Sequence, residues 1–282
     1  GLVEAPYQRQ FLPAVQEGSA AAARDACAIG CRMRVTVLGC GTSSGVPRVP
    51  VHWGVCDPAN PKNRRRRPSI LLESDTTTVV VDTGPDFREQ MLDAGVGHID
   101  AVIYTHDHAD HTHGIDDLRG FYRAAGHEIP CYGARETLQG LERRFAYVFT
   151  PKRGYPAMAE ARVIDGVFTI GDITVTPFEQ DHGPISSLGL RIDDFAYSTD
   201  ARDLPEASFA ALAGIRTWIV DCVQDQPHPS HAHVDRTLSW IERVKPERVY
   251  LTHMSQWLDY EAVKAHLPGH VRPAYDGLVL EV

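Results

Sequence analysis

The chain has 282 residues, of which 43% are hydrophobic and 23% charged, as expected of a folded protein with a sizeable core. Its formal net charge of −9 argues against stable nucleic-acid binding, which depends on Lys and Arg neutralising phosphates. No apolar run reaches the roughly 18 residues of a membrane-spanning helix, so no membrane association is expected. The six cysteines are scattered rather than arranged as a disulfide framework, which predicts a cytoplasmic protein.

Residues 1–32 differ in character from the rest of the chain. They are rich in alanine around 19–23 and lack the continuous apolar core of a signal peptide. We interpret them as an N-terminal extension that is poorly ordered unless it docks, or that is artificial in origin. A clean strand pattern begins at Met33, so residues 33–282 are predicted to form the folded domain.

From Met33 onward, short β-branched runs alternate with Gly, Pro and Asp. Strands are predicted at Arg34–Leu38, Ser69–Glu73, Thr78–Val81, Ala101–Tyr104, Ile173–Phe178, Gly189–Ile192, Phe195–Ser198, Thr217–Val220, Arg248–Thr252 and Leu278–Val282. Helices are predicted at Phe87–Ala94, Ala134–Phe145, Ser208–Leu212, His233–Val244 and Glu261–His266. So many strands with interspersed helices exceed a simple doubly wound sheet, and they favour an α/β sandwich of two sheets.

Four of these apolar runs lead into residues that can bind metal. The residues are His106 and its neighbours after Ala101–Tyr104, His182 after Ile173–Phe178, Asp200 after Phe195–Ser198, and His253 after Arg248–Leu251. Two further runs end in Asp82 and Asp221. Because strand ends on one rim of a sheet commonly assemble a site, we expect these side chains to converge.

The segment from His106 to His111 has the sequence His-x-His-x-Asp-His. In a tight turn, His106 and His108 can point to one metal while Asp110 and His111 point to a second, and Asp200 can bridge the two. Imidazole and carboxylate ligands together admit several divalent ions. The sequence therefore predicts two divalent metal ions per chain, zinc or manganese.

The pattern Thr-His-x-His-x-Asp-His, followed by a lone His, a lone Asp and a Thr-His near the C-terminus, resembles the metallo-β-lactamase superfamily. The resemblance covers residues 33–282 and implies a four-layer αββα sandwich, with the metals at one edge between the sheets. It implies one metal bound by His106, His108 and His182, and a second bound by Asp110, His111 and His253. Asp200 would bridge them, and Asp82 would orient the metal loop without ligating.

Within that superfamily, the sequence is most similar to PhnP-type phosphodiesterases. The similarity lies in residues 38–47, in Pro229-Ser230-His231, in residues 251–255 and in residues 275–278. It implies catalytic roles for Asp110 and for His231, which would donate a proton or hold a phosphate oxygen. Ser43 and Ser44 in the Gly-rich opening, with His233, are the candidate substrate-binding residues.

Members of this family can carry a structural zinc on three cysteines and a histidine. Here the corresponding stretch retains only Cys56, with His52 nearby, and Gln256 stands at the histidine position. Tetrahedral zinc needs a full set of ligands, so no structural zinc is predicted.

The resemblance implies hydrolysis of a small cyclic phosphate or nucleotide-like phosphodiester by a hydroxide that bridges the two metals. Two alternatives stay open. One is hydrolysis of another ester class on the same fold, such as a thioester, a lactone or a β-lactam. The other is a non-catalytic binding protein like PqqB from a cofactor pathway. Because family members commonly pair, a homodimer is expected.

Overall fold

A computed structural model of the chain describes residues 33–152 and 154–282, so the predicted N-terminal extension at 1–32 lies outside the described residues. The strands of the described part are β1 (Arg34–Gly39), β2 (Ser69–Glu73), β3 (Thr78–Val81), β4 (Ala101–Ile103), β5 (Ile129–Gly133), β6 (Ala159–Val163), β7 (Phe168–Ile170), β8 (Ile173–Asp181), β9 (Ser186–Ile192), β10 (Phe195–Ser198), β11 (Thr217–Asp221), β12 (Arg248–Thr252), β13 (Val271–Pro273) and β14 (Val279–Glu281). The helices are α1 (Phe87–Ala94), α2 (Ala109–Thr112), α3 (Leu118–Ala125), α4 (Arg135–Arg144), α5 (Ala146–Phe149), α6 (Glu206–Ala211), α7 (Val234–Val244) and α8 (Tyr260–Lys264), with 3-10 turns at Pro61–Asn63 and Ile115–Asp117.

The strands form two seven-stranded sheets with the orders β14-β1-β2-β3-β4-β5-β6 and β13-β12-β11-β10-β9-β8-β7. Strands β3 to β6 run parallel in the first sheet, and β10 to β13 run parallel in the second. Parallel strands end at the same edge of a sheet, so the loops that follow them lie side by side. Backbone hydrogen bonds join the two sheets near that edge, among them the bond from Leu188 N to Thr105 O at 3.0 Å.

Strand β3 shows why the fold has four layers. Its residues Val79 and Val81 belong to the core between the sheets, whereas Val80 packs into a second core beneath the helices. Because side chains alternate along a strand, a run of apolar residues without alternation must be covered on both faces. Helix α1 covers the outer face of the first sheet with Phe87 and Met91, while Trp240 of α7 packs with the core of the second.

This architecture confirms the predicted αββα sandwich, and each of the ten predicted strands is present. Sequence patterns missed four strands, β5, β6, β7 and β13, and three helices, α2, α3 and α5. No helix in 33–152 or 154–282 is long and apolar enough to cross a membrane.

Candidate metal centre

Seven predicted ligand residues lie together at the edge where parallel strands of both sheets end. His106 and His108 follow β4, and the short helix α2 carries Asp110 and His111. From the second sheet, the residues after strands β8, β10 and β12 contribute His182, Asp200 and His253. All of these side chains except that of His108 are buried.

The first group consists of His106, His108, His182 and Asp200, each offering an atom within 4.8 Å of the others. His182 Nε2 lies 3.3 Å from His108 Nδ1 and 3.5 Å from Asp200 Oδ2. His106 Nε2 lies 3.7 Å from the same carboxylate oxygen. Donor atoms in a tetrahedral shell with bonds of about 2.1 Å are about 3.4 Å apart, so these spacings suit a divalent ion.

The second group consists of Asp110, His111, His253 and Asp200, again within 4.8 Å. His111 Nε2 lies 3.1 Å from Asp200 Oδ1 and 3.3 Å from Asp110 Oδ2. His253 Nε2 lies 3.3 Å and 3.6 Å from the same two oxygens. Asp200 thus turns Oδ2 to the first group and Oδ1 to the second.

The two groups fit a bound cation because four of their inward atoms have no hydrogen-bond partner. His106 Nε2, Asp110 Oδ2, His111 Nε2 and His253 Nε2 are buried and make no hydrogen bond. Leaving a polar atom buried without a partner costs about 1–3 kcal/mol each. Cations at the two groups would satisfy all four atoms.

The far sides of two imidazoles are held by protein groups that accept hydrogen bonds. His111 Nδ1 donates to Asp82 Oδ2 at 2.6 Å, and Asp82 also accepts from the backbone N and the hydroxyl of Thr105, both at 2.8 Å. His182 Nδ1 donates to the carbonyl of Ser230 at 2.7 Å. These bonds fix the tautomer that leaves Nε2 free for a metal. Asp82 therefore lies behind the site rather than in it.

Three site residues occupy the left-handed backbone region. Asp82 has φ of 65°, Asp200 of 54° and His253 of 59°. This conformation costs a non-glycine residue about 1–2 kcal/mol, so the surrounding structure must hold it. At Asp200 and His253 the backbone turn directs the side chain into the cluster, and at Asp82 it directs the carboxylate toward His111 from behind.

Burial and mutual charge shift the pKa values of the cluster in opposite directions. Burial opposes the charge of Asp200, but His253 and His111 hold the pKa of its carboxyl well below the usual range. Burial lowers the pKa of His106. His111 is likewise buried, yet the carboxylates of Asp200, Asp110 and Asp82 raise its pKa. The carboxylate of Asp200 is thus held in its ionised form, the form that can bind a cation.

His231 lies beside the cluster with its ring stacked on that of His253, the centroids 4.5 Å apart. Its Nδ1 donates to Asp221 Oδ2 at 3.1 Å and lies 4.0 Å from Asp200 Oδ2. Burial opposes its charge, but the Asp221 carboxylate raises the pKa of His231 to about 9. The strand end at Asp221 was predicted from the sequence, but no sequence pattern indicated that Asp221 contacts His231.

The predicted substrate-binding residues lie farther out. His233 caps α7, and in the described part of the chain the ring contacts that link His231 to the cluster do not include it. Ser43 and Ser44 are exposed in a turn beside the site, where Thr42 N donates to Met254 O at 3.2 Å. Their roles stay predictions.

The loop with Cys56 is held by hydrogen bonds. The Cys56 thiol lies 3.5 Å from the carbonyl oxygens of Gln256 and Leu258. Buried Arg65 donates to Ser255 O at 3.0 Å and to Leu258 O at 2.7 Å. The described ranges contain three groups of clustered metal-binding residues, the two described above and a third beside them formed by Asp221, His231 and His253. The prediction that no structural zinc binds here stays a prediction.

One contact of the metal loop was missed at the sequence level. Arg144 of α4 donates to the carbonyl and to the carboxylate of Asp107, the residue between His106 and His108. A polar residue inside the motif was visible in the sequence, but its partner is 37 positions away and carries no pattern of its own.

Comparison with known proteins is consistent with this geometry. Residues 77–254 match the model of the β-lactamase superfamily domain. A solved diphosphatase of the PhnP family is 36% identical, with a TM-score of 0.83, and the match covers 89% of this chain and 97% of that one.

Two curated relatives match over part of their length. An octanoyltransferase of Porphyromonas gingivalis is 34% identical over 253 residues, which is 87% of this chain and 51% of that protein. A ribonuclease Z of Bradyrhizobium diazoefficiens is 27% identical over 151 residues, covering 50% of this chain and 47% of that protein. The chain therefore spans about half the length of these relatives.

Proposed function

The chain belongs to the metallo-β-lactamase superfamily and, within it, to the PhnP family, and from this premise we propose that it is a two-metal phosphodiesterase for a small cyclic phosphate or nucleotide. The observation that carries the proposal is the orientation of Asp200. One of its oxygens faces His106 and His182, and the other faces His111 and His253. A bridging carboxylate is suited to two cations held close together.

His106, His108 and His182 would hold one cation and Asp110, His111 and His253 the other, with Asp200 between them. Zinc or manganese bound there supplies Lewis acidity toward phosphoryl oxygens and lowers the pKa of bound water. The protein groups keep the donor atoms in place: Asp82 orients His111, and the Ser230 carbonyl orients His182. Such preorganisation means that little rearrangement is needed as charge develops.

His231 is proposed to handle the leaving group. Because Nδ1 donates to Asp221, Nε2 is the nitrogen available to a substrate. From its place beside Asp200 and His253, it would hold a phosphoryl oxygen or give a proton to the leaving oxygen.

A second candidate is hydrolysis of an acyl ester or thioester. It is favoured by the 34% identity to a protein that is named an octanoyltransferase, although that name belongs to a protein of about twice the matched length. The same pair of cations would polarise an acyl carbonyl as readily as a phosphoryl group. A binding protein without turnover is less favoured, because the full set of predicted ligands is present and converges.

The reaction classes are separated by supplying purified protein with manganese or zinc and three substrates. We expect hydrolysis of bis(p-nitrophenyl) phosphate, with little release from an octanoyl thioester or from the β-lactam nitrocefin. Faster thioester cleavage would replace the phosphodiesterase proposal with the acyl one. Failure on all three, with no metal bound, would overturn both.

His231→Ala tests the leaving-group role, with exposed His127→Ala as the matched control. We expect a fall of about 10²-fold or more in kcat with both metals retained, as is usual for loss of a positioned proton donor. An unchanged kcat in His231→Ala would remove this residue from the mechanism.

A further inference from the structure

A cleft lies on the helical layer outside the first sheet. It has a volume of about 490 Å³ and is lined by Arg119, Tyr122, Arg123, Tyr147, Lys152 and Tyr155, together with Pro156 and Met158. A cleft of this size falls within the range of small-molecule sites. None of its lining residues is a residue of the metal centre.

The charge of this cleft contrasts with that of the whole chain. Arg119, Arg123 and Lys152 all line it, and no carboxylate does, although the chain carries a net charge of −9. Within the described ranges no ion pair joins any of these three cations to a carboxylate. By contrast, Arg66 and Arg67, which precede β2, both have acidic partners. The cleft thus offers its positive charge to a ligand.

The remaining side chains supply flat faces. Arg119, Tyr122 and Arg123 stand on one face of α3, because residues three and four apart are neighbours on a helix. Tyr147 and Tyr155 face the same cavity and are 44% and 74% exposed. Phenol rings stack on nucleobases, and arginines pair with phosphates in fixed geometry.

The cleft is also connected to the metal loop. Helix α3 follows the ligand-bearing helix α2 after a single 3-10 turn, and burial together with the nearby Asp116 carboxylate of that turn raises the pKa of Tyr147 to about 12. A ligand that orders Tyr147 would therefore act on the segment that leads back to His111.

We propose that this cleft is a second site that binds a nucleotide, with its phosphate on Arg119, Arg123 and Lys152 and its base between the tyrosines. The ligand has two sources that share this chemistry: a free mononucleotide, or the distal nucleotide of a phosphodiester substrate. Nucleotide binding at this cleft goes beyond the phosphodiesterase function, and only the second of these sources rests on that function.

The test is photolabelling of the metal-loaded protein with 8-azidoadenosine 5′-monophosphate, followed by peptide mapping. We expect label on peptides that contain Tyr147 or Tyr155. AMP should protect them better than adenosine or ribose 5-phosphate at equal concentration. Label confined to metal-centre peptides, or equal protection by adenosine, would overturn the proposal and leave an aromatic groove for a different partner.

Variants of the lining residues test the site, and a variant outside the cleft serves as their control. Arg119→Ala with Arg123→Ala should lower labelling of these peptides by about tenfold or more, the usual effect of losing a charged hydrogen-bond partner. Arg88→Ala, an exposed arginine on α1, should keep wild-type labelling. Tyr155→Leu, an exposed position at which misfolding is not expected, should also weaken labelling. Equal labelling in the double variant would refute the assignment.

Kinetics then distinguish the two sources. If the ligand is a free nucleotide, AMP changes the rate on bis(p-nitrophenyl) phosphate, and the double variant abolishes that response. If the cleft holds the distal part of a substrate, the double variant raises KM for a diadenosine phosphodiester but not for bis(p-nitrophenyl) phosphate. Labelling of the cleft in a protein without phosphodiesterase activity would separate failure of the proposed function from failure of this inference.

Discussion

Arg144 lies outside the metal centre and donates hydrogen bonds to both the carbonyl oxygen and a carboxylate oxygen of Asp107. Asp107 stands between His106 and His108, so helix α4 supports the loop that presents two predicted ligands. The contact is partly exposed, with 37% of the Arg144 side chain accessible, so its contribution to global stability is expected to be small. We expect the contact to act mainly on the position of the loop that carries His106 and His108.

We predict that Arg144→Ala weakens metal binding by about tenfold, at the low end of what outer partners of metal ligands contribute, with little change in the free energy of unfolding of the metal-free protein. The neighbouring Arg143→Ala is the control, since Arg143 is exposed on the same helix. The metal affinities of the two variants are measured by competition with a chelator. Equal affinities in the two variants would show that the contact does not support the loop.

Gly140 provides an independent test of the same contact. A Cβ at this position would come 2.3 Å from Asp107 Oδ2 and displace that side chain. Gly140→Ala in a helix would normally stabilise by about 1 kcal/mol, but here we expect weaker metal binding. Combined with Arg144→Ala, the second change should add little, because both act through Asp107. Additive losses in the double-mutant cycle would mean separate mechanisms.

Metal removal should destabilise the protein. Chelation leaves four buried polar atoms of the cluster without partners, so we expect a fall in Tm of at least about 5 °C relative to the loaded protein. In Asp200→Ala the shift should be much smaller and turnover abolished, because the shared ligand is gone. Metal analysis by mass spectrometry should give about two ions per wild-type chain. A chelator-insensitive Tm in wild type would contradict the predicted centre.

Asp276 predicts a pH dependence of stability that is independent of the metal cluster. Its carboxylate accepts from the backbone N of Cys40 at 3.1 Å and of Arg66 at 2.7 Å, yet burial dominates and raises the pKa of Asp276 to about 6. The folded state therefore favours the protonated form. This contribution to the free energy of unfolding is full below about pH 4 and is lost as the pH rises to about 6.

The measurement is urea unfolding of metal-free protein and of Asp276→Asn, which does not titrate, between pH 4 and pH 7. The stability of wild type minus that of the variant should fall across this window and level off above it. The Cys40 thiol and the Arg66 guanidinium are the other groups near this carboxyl, and both are present in each protein. A constant difference would show an ordinary pKa for Asp276.

Local patterns were enough for several elements whose burial is one-sided or complete. Ser69–Glu73, Thr78–Val81, Phe195–Ser198 and Phe87–Ala94 match their predicted bounds, because their apolar spacing already specifies which faces are covered. Strands β5 and β6 escaped prediction because β5 contains Pro130 and β6 exposes Glu160 and Val163. They form strands because β4 offers a parallel partner to β5, and β5 offers one to β6, and no local sequence pattern indicates such pairing.

The amino-acid sequence by itself identified a His-x-His-x-Asp-His segment and three distant strand ends as the places of the candidate ligands, since imidazoles and carboxylates gathered in this way suit a divalent ion. Only the tertiary structure decided how the ligands divide, with one oxygen of Asp200 toward each group. It also decided that His231 stacks on His253 while His233 begins a helix. The physical reason is that the left-handed backbone conformation at Asp200 and His253 sets the direction of their side chains. The direction of these side chains depends on how all the strand ends at this edge of the sheets pack together.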